Sequence, residues 1–163
     1  MKRQAVNNTN SVHAMPSLCL GIETSCDETG VAIVKKESGH SPEVVKSLVA
    51  SQIDIHALTG GVVPEAAARE HATVIIPLIR QALKEAKVDS QLIDAIAVTV
   101  APGLMPALAV GVTAARALSY AWNKPIVPIH HLEGHIYSAL LASTDEKTGQ
   151  LFSSESNPFP ALA

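Results

Sequence analysis

The chain has 163 residues, of which 47% are hydrophobic, 17% charged and only 3% aromatic, with a formal net charge of −3. That length suits one domain on the usual scale of about 100–200 residues, and the composition excludes a disordered chain, which needs low hydrophobicity and high net charge. The charge excludes a generally basic nucleic-acid surface, so RNA contact would need a local patch or a partner; the few aromatics exclude base stacking as the main grip on single strands.

Met1-Lys2-Arg3 is followed by polar residues as far as His13. A signal peptide needs an apolar run there, and none stands there. Residues 1–16 read as a polar leader and 17–163 as one lobe. Two cysteines, Cys19 and Cys26, do not make a disulfide framework and fit a reducing compartment. Leu18 to Ile22 reads as a first strand. Thr24 to Gly30 is turn chemistry, and Val31 to Val34 reads as a second strand, giving a hairpin. Ser38 to Pro42 is a turn. Val44 to Ala50 reads as a third strand, with helix as the alternative; three strands in succession suggest an antiparallel meander. Gly60-Gly61 breaks the chain. Pro64 suits the first turn of a helix that is expected to reach about Ala86, kinked or split at Pro77. Asp94 to Val100 is a strand, Pro102-Gly103 a turn, and Pro106 to Trp122 a helix stopped by Asn123-Lys124-Pro125. Ile126 to Ile129 is a strand broken by Pro128. His131 to Ala142 is a short helix, Ser143 to Pro158 a polar loop, and Phe159 to Ala163 the opening of another strand.

This alternation predicts an α/β fold, a mixed sheet with helices on its faces. Ala95 to Ala115 carries no charge and has the length of a membrane span. Its interruption by Pro102-Gly103 and Pro106 makes a buried strand, a tight turn and a buried helix the expected reading. Because the sequence stops inside an apolar run, whose edge would be left unpaired, the chain is expected to be the first part of something longer.

His131 and His135 stand four apart, a spacing that puts two imidazoles on one face of a helix within reach of one metal ion. A bare H-x-x-x-H is common and also fits two ordinary histidines near a helix start. The zinc-peptidase pattern carries its general base at the second position; here that is Leu132, and Glu133 sits about 100° further round the helix. His130 would point elsewhere, as a supporting or structural residue. Thr24 to Thr29, hydroxyls and Asp-Glu between two strands, fits either a phosphate-binding hairpin or a plain polar turn. Ala101-Pro102-Gly103-Leu104 leads into a helix that could receive an anion; it lacks the Gly-Lys-Ser/Thr of a Walker loop and on its own reads as a structural turn. Glu65, Arg69, Glu70 and His71 read as a solvated helix face, with Glu65 and Arg69 as a surface pair. Cys19 reads as a buried thiol and Cys26 as a loop thiol.

Taken together, the segments resemble one family. Gly21 to Thr29 resembles the opening of the universal tRNA threonylcarbamoyladenosine transferases, the TsaD/Gcp family. Gly60-Gly61-Val62-Val63-Pro64-Glu65 with Arg69 and His71 is similar to its second signature, Pro102-Gly103-Leu104 to its third, and His131 to His135 to its metal motif. The match covers residues 18–163 but only about the first half of a family member. It implies the N-terminal lobe of an actin-like ATPase (RNase H-like) fold, truncated before the second lobe. It implies transfer of a threonylcarbamoyl group from threonylcarbamoyl-AMP to N6 of adenosine 37 in tRNAs reading codons that begin with A, in the cytoplasm and away from membranes. It further implies one divalent metal ion, Fe2+ in the family, on His131 and His135 with a third ligand from the missing half. Asp27 and Glu28 match acidic residues near the catalytic centre, and Thr24, Ser25, Thr29 and Gly103 would face the donor. A paralogous inactive subunit and a small ATPase would be partners. Ala101 and Pro106 depart from the family's usual glycines, and its Ser-Gly-Gly-His-Thr loop is missing, so the chain alone is expected to be inactive. The competing readings are a non-catalytic scaffold, a metallopeptidase, and an actin-like sugar kinase or ATPase.

Overall fold

The structure, a computed structural model, describes residues 18–38, 40, 42–57, 59–138, 143–144 and 151–152. The expected leader and the strand opening at Phe159 lie outside the described residues. Strands β1 (Leu18–Glu23), β2 (Glu28–Lys35) and β3 (Glu43–Ser51) form an antiparallel meander. β4 (Ala95–Ala101) then joins β1 in parallel, and β5 (Ile126–His130) joins β4 in parallel. The resulting five-stranded mixed sheet has the order β3-β2-β1-β4-β5, with β1 at its centre.

Period-two patterning decides which face is covered. Leu20 and Ile22 of β1, Val31 and Ile33 of β2, and Ile96 and Val98 of β4 are all buried and form one apolar cluster. Helices α2 (Pro64–Ala86) and α3 (Met105–Trp122) close that face. α2 brings Ala67, His71, Ile75, Ile79 and Ala82 at near-helical spacing; α3 brings Ala107, Leu108, Gly111, Ala114 and Ala115. The opposite face carries small residues, Gly21, Gly30, Ala32 and Ala97, which line a groove of about 420 Å³. Helix α4 (His131–Ser138) begins directly at the end of β5 and edges that groove.

Several expectations are corrected. α2 is not split at Pro77. Pro77 lies on the exposed side of the helix, where a carbonyl losing its N–H partner is hydrated by water while the apolar stripe holds the helix down. β5 likewise continues through Pro128, because β5 is the sheet's edge and an edge strand needs no donor on its outer side. Between Ser143 and Pro158 the chain is not all loop, since β6 (Ser143–Thr144) pairs antiparallel with β7 (Leu151–Phe152). Two short elements escaped the sequence reading, helix α1 (Ile53–Ala57) and a 3-10 turn at Ser90–Leu92 capped by the Asp89 side chain. No helix among the described residues is long and apolar enough to cross a membrane; the uncharged run from Ala95 divides into β4 and α3.

Candidate functional site

The parallel strands β1, β4 and β5 end on the same side of the sheet, so their carboxyl ends meet. In open α/β sheets ligands bind in that crevice. β1 delivers Glu23 and the turn after it; β4 delivers Thr99; β5 delivers His131 at the start of α4. The helical spacing then does what it promised: His131 Nε2 and His135 Nε2 lie 3.0 Å apart, with ring planes at 85°.

Glu23 ties these pieces together. Its Oε1 accepts the Ser25 N–H, and its Oε2 accepts the Thr99 hydroxyl. Oε2 also lies 3.2 Å from His131 Nδ1, and Ser25 Oγ lies 3.2 Å from the same nitrogen. Burial alone would push the Glu23 carboxyl up, but the hydrogen bonds from Ser25, Thr99 and His131 outweigh it and hold the group below the usual carboxylate range. An ionised carboxylate only accepts, so His131 Nδ1 carries a proton, and in the neutral imidazole Nε2 then keeps its lone pair.

The turn from Thr24 to Thr29 is held from behind. Thr24 is buried and donates its hydroxyl to Ala107 O of α3 at 2.9 Å. Ser25 O accepts the Leu104 N–H at 2.7 Å. Gly103 and Gly111 make this nesting possible: a Cβ on Gly103 would stand 2.7 Å from Ser25 O, and one on Gly111 would run into the Thr24 hydroxyl. Thr29 is fully buried and bonds His71 Nδ1 at 2.7 Å. The hydroxyls of Thr24 and Thr29 are thus already engaged within the protein, whereas Ser25 Oγ turns toward His131. Asp27 is half-buried and Glu28 exposed; the Asp27 carbonyl accepts the Gln52 N–H at 3.1 Å.

His71 overturns the expected solvated face of α2, because it is 0% exposed. Its Nε2 meets Cys26 O at 3.1 Å, so that nitrogen must donate and Nδ1 must accept. Gln52 lies 3.2 Å from the same Nδ1 and joins His56 Nε2 at 3.0 Å through its Oε1. Sequence reasoning missed Glu23, Thr99 and Gln52. Glu23 ends a strand and carries no spacing signal, and Gln52 follows an exposed strand end; only tertiary contact reveals either. His130 is exposed, and Cys19 is half-buried instead of buried. Partial burial and the neighbouring Asp27 push the Cys26 thiol up, which weakens the exposed thiol as a nucleophile.

The histidine pair suits a divalent ion. Two nitrogens, each about 2.0–2.1 Å from one ion, lie about 2.8–3.4 Å apart for angles between about 90° and 109°, and the observed 3.0 Å falls within that range. No group of three or more His, Cys, Asp or Glu that could hold a metal exists among the described residues, so this pair would supply two ligands and need another.

Comparison with known proteins adds an independent line. A family model described as tRNA N6-adenosine threonylcarbamoyltransferase (TsaD) matches residues 43–153. The protein of that name from Magnetococcus marinus is 58% identical over 125 residues, which are 75% of this chain and 35% of that protein. Its namesake from Gloeothece citriformis is 54% identical over 126 residues, 77% of this chain and 35% of the relative. The chain therefore spans about a third of the length of these curated relatives. A solved structure described as YeaZ from Pseudomonas aeruginosa superposes with a TM-score of 0.55 at 21% identity, covering 76% of this chain and 49% of that one. That likeness establishes the actin-like, RNase H-like fold.

Proposed function

The chain belongs to the tRNA N6-adenosine threonylcarbamoyltransferase family, and from that premise we propose that it forms the metal-holding, donor-facing part of a threonylcarbamoyl transferase. The reaction is attack of N6 of adenosine 37, in tRNAs reading codons that begin with A, on the carbamoyl carbon of threonylcarbamoyl-AMP. The new C–N bond replaces the C–O bond to phosphate, AMP leaves, and N6 gives up a proton. The observation that carries this reading is the convergence of His131 and His135 Nε2 at the carboxyl ends of three parallel strands.

A mixed anhydride is already activated, so the site needs charge stabilisation and orientation more than a nucleophile. A divalent ion, Fe2+ in our reading, held by His131, His135 and a ligand from the family length that this chain does not span, supplies a Lewis acid. We assign Asp27 and Glu28 to steering the amine and receiving its proton. Thr24, Ser25, Thr29 and Gly103 shape the turn that faces the donor. The tRNA, a paralogous inactive subunit and a small ATPase are the partners, in the cytoplasm. A scaffold role is the second reading, and the presence of both His131 and His135 weighs against it. The metallopeptidase reading is weaker, since Glu133 is exposed and forms no hydrogen bond or ion pair with either histidine.

The test is a transfer assay with threonylcarbamoyl-AMP and tRNA, run on this chain alone and on a protein completed to the family's length. The completed protein is expected to modify tRNA, His131→Ala and His135→Ala to lower its rate at least 100-fold, and the chain alone to be inactive. Full activity of both histidine variants would refute the reading.

A further inference from the structure

We propose that Glu23 is a positioning residue of the metal centre, its carboxylate holding His131 with the proton on Nδ1 so that the Nε2 lone pair joins that of His135 on one divalent ion. The inference rests on the metal reading above and extends it to a residue outside the ligand set. Free imidazole takes either neutral form, and only the form with a bare Nε2 serves here. Glu23 makes that choice from the end of the central strand. Its own orientation is set on both oxygens, by the Ser25 N–H on Oε1 and the Thr99 hydroxyl on Oε2. What remains of Oε2 faces His131 Nδ1 at 3.2 Å. A carboxylate behind a metal-binding imidazole both orients the ring and raises its basicity.

Glu23 is not itself a ligand of the pair. It touches His131 through Nδ1, the nitrogen pointing away from His135, and the three residues do not form a group that could hold an ion. His135 has no comparable anchor: among the described residues its ring hydrogen-bonds only with His131. The preorganisation of the pair therefore depends on Glu23 acting through His131. Ser25 Oγ, also 3.2 Å from Nδ1, is a weaker substitute because it is uncharged.

The experiment measures Zn(II) affinity of the chain by competition with a chromophoric chelator, and the protonation site of His131 by nitrogen chemical shifts in the metal-free chain. The chain is expected to bind one equivalent, His131→Ala and His135→Ala to lose it, and Glu23→Gln and Glu23→Ala to weaken it by about 10–100-fold. His131 is expected to carry its proton on Nδ1, and Glu23→Ala to move it toward Nε2; lost stability alone would not produce that shift. Unchanged Zn(II) binding in both histidine variants would defeat the metal reading itself. Loss of binding in those variants with unchanged affinity in Glu23→Gln and Glu23→Ala would defeat only the role of Glu23. If the Glu23 variants fail to fold, the unsubstituted chain still decides: a proton on His131 Nε2 would overturn the proposal.

Discussion

Among single residues, His71 carries the most consequence for the turn that bears Asp27. It joins three partners: the Cys26 carbonyl, the Thr29 hydroxyl and the Gln52 amide. A buried polar group left unpaired costs about 1–3 kcal/mol. His71→Ala is therefore expected to destabilise the chain by about 2–4 kcal/mol, read as a lower midpoint of urea unfolding; a shift under about 0.5 kcal/mol would show the network to be dispensable. The two thiols make a second expectation. Burial, with Asp94 nearby, pushes Cys19 up, and partial burial with Asp27 pushes Cys26 up. The thiolate is the reactive form, so both should alkylate more slowly at pH 7 than a free thiol and accelerate only at alkaline pH. Cys26, being exposed, should react first, and Cys26→Ser should remove the faster phase. For Cys19 the sign also reaches stability. The folded state holds its proton more tightly than the unfolded state, so its contribution is present below the ordinary thiol range and lost as pH rises through the folded value. At this scale the sequence was a partial guide. The i,i+4 rule identified His131 and His135 because helical geometry alone brings them together. His71 read as solvent-facing because a helix sequence does not say which polar residue will find a buried hydroxyl 42 positions earlier.

At the scale of elements, the contact between the 24–25 turn and the start of α3 shows how closely two backbones are allowed to approach. Gly111 and Gly103 serve it differently. A Cβ on Gly111 meets the end of the Thr24 side chain, while a Cβ on Gly103 meets backbone atoms of Ser25, the carbonyl oxygen at 2.7 Å. Overpacking of this kind costs about 1–3 kcal/mol. Gly111→Ala is expected to cost that much and to be relieved in part by Thr24→Ala, so a double-mutant cycle should give a coupling of about 0.5–3 kcal/mol. Gly103→Ala should show no such coupling with Thr24→Ala, because truncating Thr24 leaves the Ser25 backbone in place. Additive costs for the Gly111 pair would mean that the helix shifts instead. Most elements were legible because their signals are local: strands from alternation, α2 and α3 from proline at their first turns. The errors at Pro77 and Pro128 share a cause. Proline was taken as a breaker wherever it fell, but its missing N–H is tolerated where water can reach the freed carbonyl, as on an exposed helix side, or where the strand is a sheet edge.

Among the described residues, the sheet has one face covered and one face open. α2 and α3 cover the Leu20, Ile33 and Ile96 side, while Gly21, Ala32, Val34 and Ala97 line a groove on the other, ending at His131 and His135. Small residues on a sheet face let another layer approach closely, and a layered α/β fold buries both faces of its parallel strands. The family relatives are about three times as long as this chain's match to them, which leaves ample material for such a layer. The open groove predicts a property of the chain on its own: it should bind an apolar dye such as ANS while unfolding cooperatively in urea. Enhanced fluorescence alone would also fit a molten state, so the two observations must be made together. Ala32→Glu places a charge in the centre of the groove without touching the covered face. It is expected to reduce dye binding several-fold and to move the unfolding midpoint by no more than about 0.5 kcal/mol, as for a surface substitution. In a protein completed to the family's length, the same change should cost several times more if the groove is then covered, because a carboxylate would be buried without a partner. Equal and small costs in both forms would show that this face stays open to water even in the complete protein, and that the histidine pair works from an exposed groove.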